Sequence, residues 1–178
     1  MITNYASEAA TPKALPAAQE EHQGKTLAVI VPGGGTYSRP ISTDSEQTQM
    51  FFDQGLRFAW GFFFPESIAS YQQASLTDPT HPMPYWGMAH AMGPNPNSRY
   101  GRMPDDPKGE GLKAITKAKQ LIGRASPIEA QLINALFVLY DKKSIADDND
   151  RDRAYLAAMR AINRQYPDDS DVAALYAA

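Results

Sequence analysis

From Thr43 onward apolar residues recur three and four positions apart, the spacing of one helix face, whereas residues 1 to 42 show no such period. Thr43 followed by Glu46 fits a capping box, with the hydroxyl accepting an early backbone N–H and the carboxylate reaching back; it predicts a helix from about Ser45 to Trp60. Pro65 suits a first helical position, where its missing N–H would be unpaired anyway, and "PESIASYQQASL" should stop before Pro79, whose ring disfavours helical geometry at Asp78. A third helix is expected from about Met83 to Met92. After the turn-forming stretch "GPNPNSRYGRMPDDPK", an amphipathic segment runs from about Gly109 to Ile122, with Leu112, Ile115, Ala118 and Ile122 on one side. Ser126, Pro127 and Glu129 open a helix that should reach about Tyr140, and another covers Asp152 to about Tyr166, ended by Pro167. "SDVAALYAA" then starts a short apolar helix whose Val172, Leu175 and Tyr176 are expected to need cover from further chain or from another subunit. Every element of this reading is a helix, so the fold class is all-α.

The first 42 residues read as an extended arm, with residues 43–178 as the helical domain. "ATPKALPAAQEEHQGK" is Ala, Pro and polar, and "VPGGGTYSRP" is built from breakers. Between them "TLAVIV" is β-branched and uncharged, fit for one strand or for an extended strip laid on the helices with its backbone groups still to be paired. Such a strip is expected to cover an apolar groove around Phe52, Leu56 and Trp86, within one chain or on a neighbour.

The helical pattern repeats. Phe51, Gly55 and Phe58 return 34 residues later as Tyr85, Ala89 and Met92, large, small, large; Ser67, Tyr71, Ala74 and Pro79 continue the first unit. Tyr155, Met159, Ile162 and Pro167 echo that second-helix spacing 88 residues on, and Ile133, Leu136, Phe137 and Tyr140 echo the first helix with Phe137 in place of the small residue. Small residues such as Gly55 and Ala89 belong where helices approach closely, between larger residues that fill the grooves. This spacing resembles the tetratricopeptide repeat. The stretches "FFDQGLRFAW", "ESIASYQQASLTDP", "YWGMAHAMGPNPN" and "YPDDSDVAALYA" are similar to a bacterial group of tetratricopeptide-repeat proteins of undefined biochemical role, over roughly residues 45 to 178. Trp86, Gly87, Gly93, Pro94 and Asn97 match that group's Trp-Gly and Gly-Pro-x-x-Asn combination. The resemblance implies an α-solenoid of antiparallel helix pairs; the 16-residue segment Gly93 to Lys108 departs from its tight turns.

Charge changes the picture by exclusion. With 17 basic and 20 acidic residues interspersed along 178, a net charge of −3 offers no broad basic surface, so nucleic acid is not an expected partner. No apolar run is long enough to span a bilayer. The start "MITNYASEAATPK" lacks the basic-then-apolar order of an export signal, which fits a cytoplasmic chain if Met1 is the native start and leaves export open. Zero Cys removes thiolate ligands and cysteine nucleophiles.

Candidate chemistry adds little. On a helix Met88 and Met92 share a face with Tyr85, while Met83, Trp86 and His90 lie opposite, so thioethers and imidazole do not converge and the methionines read as core filler. "GKT" at 24 to 26 lacks the upstream glycine of a phosphate loop, and "GGG" at 33 to 35 opens no helix. In "DDNDRD" Arg153 and Met159 occupy the places of the glycine and the bidentate Glu of a calcium loop; helix dipole alone accounts for the acids. Three scattered histidines and no Gly-x-Ser-x-Gly elbow give no hydrolytic site. No metal and no cofactor are expected, and the chain reads as a non-enzyme.

What remains is a protein-interaction or assembly module whose partner is a protein, a peptide or a second copy. By resemblance, Gln49, Phe52, Leu56, Met83, Trp86 and His90 would line the concave face, and Asn95, Asn97, Arg99 and Tyr100 in the long loop are expected to make polar contacts. The alternative is a small-ligand or metal-binding protein using the same face around Trp86 and His90. The three phenylalanines at 62 to 64 turn the first helix pair and are expected to staple the turn, with the alternative that one projects as a partner contact.

Overall fold

A computed structural model describes residues 26–93 and 104–177; within them the chain is all-helical. Helices α1 (Glu46–Trp60), α2 (Phe64–Thr77), α3 (Pro82–Met92), α4 (Pro107–Gln120), α5 (Pro127–Tyr140), α6 (Asp148–Gln165) and α7 (Ser170–Ala177) follow one another, and each packs on the next. Three residues join α1 to α2 and four join α2 to α3, so each helix folds straight back on its predecessor.

The ends of the helices follow local chemistry. At α5, Ser126 and Glu129 form the expected capping box. At α1 the cap is Ser45, whose hydroxyl accepts from Thr48 N at 3.1 Å, and not Thr43; that hydroxyl instead donates to Asp78 and accepts from Ser45 N. Helix α6 begins a turn earlier than the periodicity suggests, because Asp147 caps it. The buried Arg151 then donates to the carbonyls of Leu139, Ile145 and Ala146 and ties the α5–α6 connection down. In α4 the inward side is Gly111, Ala114, Ile115 and Ala118, while the expected Leu112 is exposed.

One continuous core joins α1 to α7. Phe52, Leu56, Tyr71, Met83, Trp86, Ile115, Leu132, Ile133, Met159 and Val172 are all essentially inaccessible to water. Tyr71 lies between two glycines: a Cβ on Gly55 would come within 2.7 Å of its ring, and one on Gly87 within 2.4 Å. The small residue at 55 therefore admits an aromatic ring, where helix-to-helix backbone contact was expected, and Gly87 rather than Ala89 completes the slot. Tyr140 repeats the device against Gly111, where a Cβ would lie 2.3 Å from its hydroxyl, which donates to Ala89 O at 2.6 Å. Of the three residues of the C-terminal helix expected to need cover, Val172 and Leu175 are buried within this chain and Tyr176 is half-buried.

Candidate functional site

Along α1, Gln49, Asp53, Gln54 and Arg57 are four, five and eight residues apart, which places them on one side of the helix. That side holds the described part of the arm. The Gln54 amide accepts from Val31 N at 2.8 Å and donates to Val29 O at 3.0 Å; the Gln49 amide accepts from Ile41 N at 2.9 Å and donates to Arg39 O at 2.8 Å. Each glutamine thus grips the N–H and C=O of residues two apart, as a neighbouring β-strand would, and the fixed donor character of each N–H dictates which way the amide faces. Gln73 on α2 extends the row by accepting from Leu27 N at 2.8 Å. Between the clamps the chain reverses through "PGGG", where Gly33 and Gly35 take φ of 81° and 85°, open to glycine at no steric cost.

The returning half of the arm, Tyr37 to Ser42, is fixed more firmly. Asp53 accepts from Arg39 N and Ser38 Oγ, at 3.0 and 2.6 Å, and Arg57 donates to Tyr37 O at 2.6 Å. Burial raises the Asp53 pKa above the usual carboxylate value in spite of these donors. The Arg39 side chain, only 9% exposed, donates to Asp169 at 2.8 Å and Asp171 at 2.9 Å. Asp171 also accepts from Tyr37 Oη at 2.7 Å and Trp60 Nε1 at 3.2 Å, so one buried carboxylate joins the arm, the end of α1 and the start of α7. Burial opposes the charges of Arg39 and Asp169, but their mutual bonds outweigh it, raising the arginine pKa and lowering that of the aspartate.

The arm covers a different place from the one its hydrophobicity suggests. Leu27, Val29 and Val31 of "TLAVIV" are exposed, with Ala28 and Ile30 half-buried, and the strip lies by Gln54 and Gln73 instead of over Phe52 and Trp86. It is Ile41, in the other half, that joins the core cluster. Among the residues expected to form a binding face, Gln49 does meet an extended segment, whereas Phe52, Leu56, Met83 and Trp86 are 0–2% exposed and are core. Trp86 Nε1 donates to Leu132 O at 3.2 Å and fixes α3 to α5. His90 stacks on Trp86, with centroids 5.3 Å apart and planes 7° from parallel, and meets the edge of Trp60 at 6.1 Å. The residue as a whole is half-buried, but Nδ1 is buried with no hydrogen-bond partner among the described residues, and burial pushes the pKa down to about 4 against the pull of Asp171. Met88 and Met92 are buried as core filler. Asn95, Asn97, Arg99 and Tyr100 lie outside the described residues.

A serine, a histidine and a carboxylate also converge at the far end of the arm, which sequence spacing had not indicated. Ser42 Oγ lies 3.2 Å from His81 Nε2, and Glu129 accepts from Ser42 N at 2.8 Å as well as from its hydroxyl. The arrangement is not that of an activated nucleophile. His81 Nδ1 accepts from Met83 N at 3.3 Å to cap α3, which leaves the imidazole proton on Nε2, facing the serine, so the ring has no free lone pair for that oxygen. The serine proton goes to Glu129, already engaged in capping α5 through Ser126 N. The cluster buckles the arm to two helix starts. Among the described residues no group of three or more His, Asp or Glu is placed to hold a metal ion.

No family model matches the chain, and neither does any curated protein or solved structure.

Proposed function

We propose that the protein is a non-catalytic interaction module of the tetratricopeptide type, whose α1 side binds an extended peptide. The observation that supports this reading is the pair of glutamine clamps. Gln49 and Gln54 bond main-chain groups, which every peptide carries, and the Asp169–Asp171 pair bonds an arginine, which supplies selectivity. In the free chain its own residues 29–31 occupy the Gln54 clamp and residues 37–42 the Gln49 clamp and the aspartate pair, so a partner peptide with an aromatic residue two positions before an arginine competes with the second half of the arm.

The test is a fluorescently labelled peptide with the sequence of residues 36 to 43, TYSRPIST, titrated into the full chain carrying Tyr37→Ala and Arg39→Ala, which loosen the arm. Saturable binding at least tenfold tighter than to the unaltered chain is expected, and it should be lost when Asp171→Asn is added. Equal or no binding by both chains, with helical circular dichroism retained, would sink the proposal.

A further inference from the structure

The strip Leu27–Val31 has two edges, and among the described residues only one is used. In an extended chain the backbone groups of odd and even residues point to opposite sides. Leu27 N, Val29 O and Val31 N face Gln73 and Gln54; Ala28 and Ile30 therefore turn their N–H and C=O groups away from the helices, and neither has a hydrogen bond among the described residues. The odd side chains stand exposed, Val29 at 68%, Val31 at 46% and Leu27 at 38%. No residue from Thr26 to Ser38 carries a charge. A free, uncharged, β-branched edge held rigid by side-chain clamps is a template for strand addition, with none of the charges that usually protect such edges.

We infer that this edge pairs with the same edge of a second copy, as an antiparallel two-stranded ribbon centred on Val29. The register follows from what is free. A two-fold axis at Val29 sets Ala28 opposite Ile30 of the second copy and Ile30 opposite its Ala28, both as hydrogen-bonded pairs, so four N–H···O=C bonds satisfy all eight unused groups. On the exposed face Val29 meets its own copy and Leu27 meets Val31, so all three outward apolar side chains find apolar partners. Pro32 ends the ribbon, since it is the next residue on the free edge and has no N–H. The surface is the outer edge of the arm, so the inference goes beyond peptide binding on α1 and does not require it.

The chain has no cysteine, so a single introduced one reports the register. Central non-hydrogen-bonded pairs bring Cβ atoms to about 4.5–5.5 Å, close to disulfide reach. Under mild oxidation the full chain with Val29→Cys should form covalent dimers at least tenfold faster than with Leu27→Cys, whose own copy lies across the ribbon at Val31. In sedimentation velocity the unaltered chain should dimerise with rising concentration. Ile30→Pro, which deletes a free-edge N–H and leaves the Gln54 clamp intact, and Val29→Glu, which sets two carboxylates face to face, should each raise the dimer dissociation constant at least tenfold. A monomer throughout, or a dimer indifferent to both substitutions with equal cross-linking at 27 and 29, would overturn the inference.

Discussion

Phe62 is the one described non-glycine residue with positive φ, at 62°. Its position explains it. Phe62 N donates to Ala59 O and Phe63 N to Phe58 O, at 3.0 and 2.9 Å, the two bonds by which a helix end is closed by a left-handed residue; Phe63 then rests its edge on Phe58 at 6.2 Å. Glycine is the usual occupant of that place because a side chain there costs about 1 kcal/mol or more. Phe62 is 59% exposed and touches Phe64 edge-on, so little packing offsets the strain. Phe62→Gly is expected to stabilise the chain by about 0.5–1 kcal/mol in urea denaturation; a loss of stability would mean that the Phe62–Phe64 contact outweighs the backbone term. The sequence singled out the three phenylalanines as a staple, and Phe63 and Phe64 do pack, the latter in the core. It held no sign that the middle of the turn would need φ above zero, because "GFFF" offers glycine one residue too early. The same limit applies to Gly55 and Gly87. Spacing marks where something must come close, but whether a backbone or a tyrosine ring arrives depends on the tertiary packing.

At the scale of elements, all seven helices were legible from proline, capping residues and apolar period; the departures are local at the starts of α1 and α6, capped by Ser45 and Asp147, and tertiary at Leu112. From Thr26 on, the described part of the arm is free of helix up to α1, and its strip lies elsewhere than its hydrophobicity suggests. Hydrophobicity drew "TLAVIV" toward the apolar residues of α1 and α3, yet those residues bury one another, and what captures the strip is the polar side of α1. Backbone groups that no helix or sheet pairs must find other partners, and glutamines on a helix supply them. Gln54→Leu removes both bonds to the strip and the bond to Ser70, and is expected to abolish hydrogen-exchange protection at the Val31 amide while protection in α1 and α2 persists. Gln54→Glu keeps an acceptor for Val31 N and turns a carboxylate toward Val29 O. It should retain part of the protection at Val31, which would separate main-chain recognition from loss of packing volume.

Across the whole molecule the acid response follows from which groups the fold shelters. Burial lowers the pKa of His81 and pushes His90 down to about 4, so the folded state binds fewer protons than the unfolded chain between the ordinary value of 6.5 and those depressed values. Stability from both histidines is then fully present above 6.5 and is lost as pH falls through the folded values, by up to about 1.4 kcal/mol per pH unit for each histidine and less where a ring edge meets water. For His81 the chemistry is concrete, since a proton on Nδ1 removes the acceptor that caps Met83 N. Asp78 and Asp169 act in the same direction further down: burial would raise them, but the Thr80 and Thr43 donors for the first, and Arg39 for the second, hold both below 3.8, and their share is lost as pH falls through those lowered values. Asp53 opposes them, because burial raises its pKa and protonation favours the folded form. Stability against urea should therefore begin to fall near pH 6.5, well before the carboxylates titrate. His90→Phe keeps a ring over Trp86 and has nothing to protonate, so it should flatten the curve between pH 6.5 and 4 and leave the steeper loss below pH 4 unchanged. An unaltered slope in that variant would mean that His90 keeps its ordinary affinity for protons in the fold, with water reaching Nδ1.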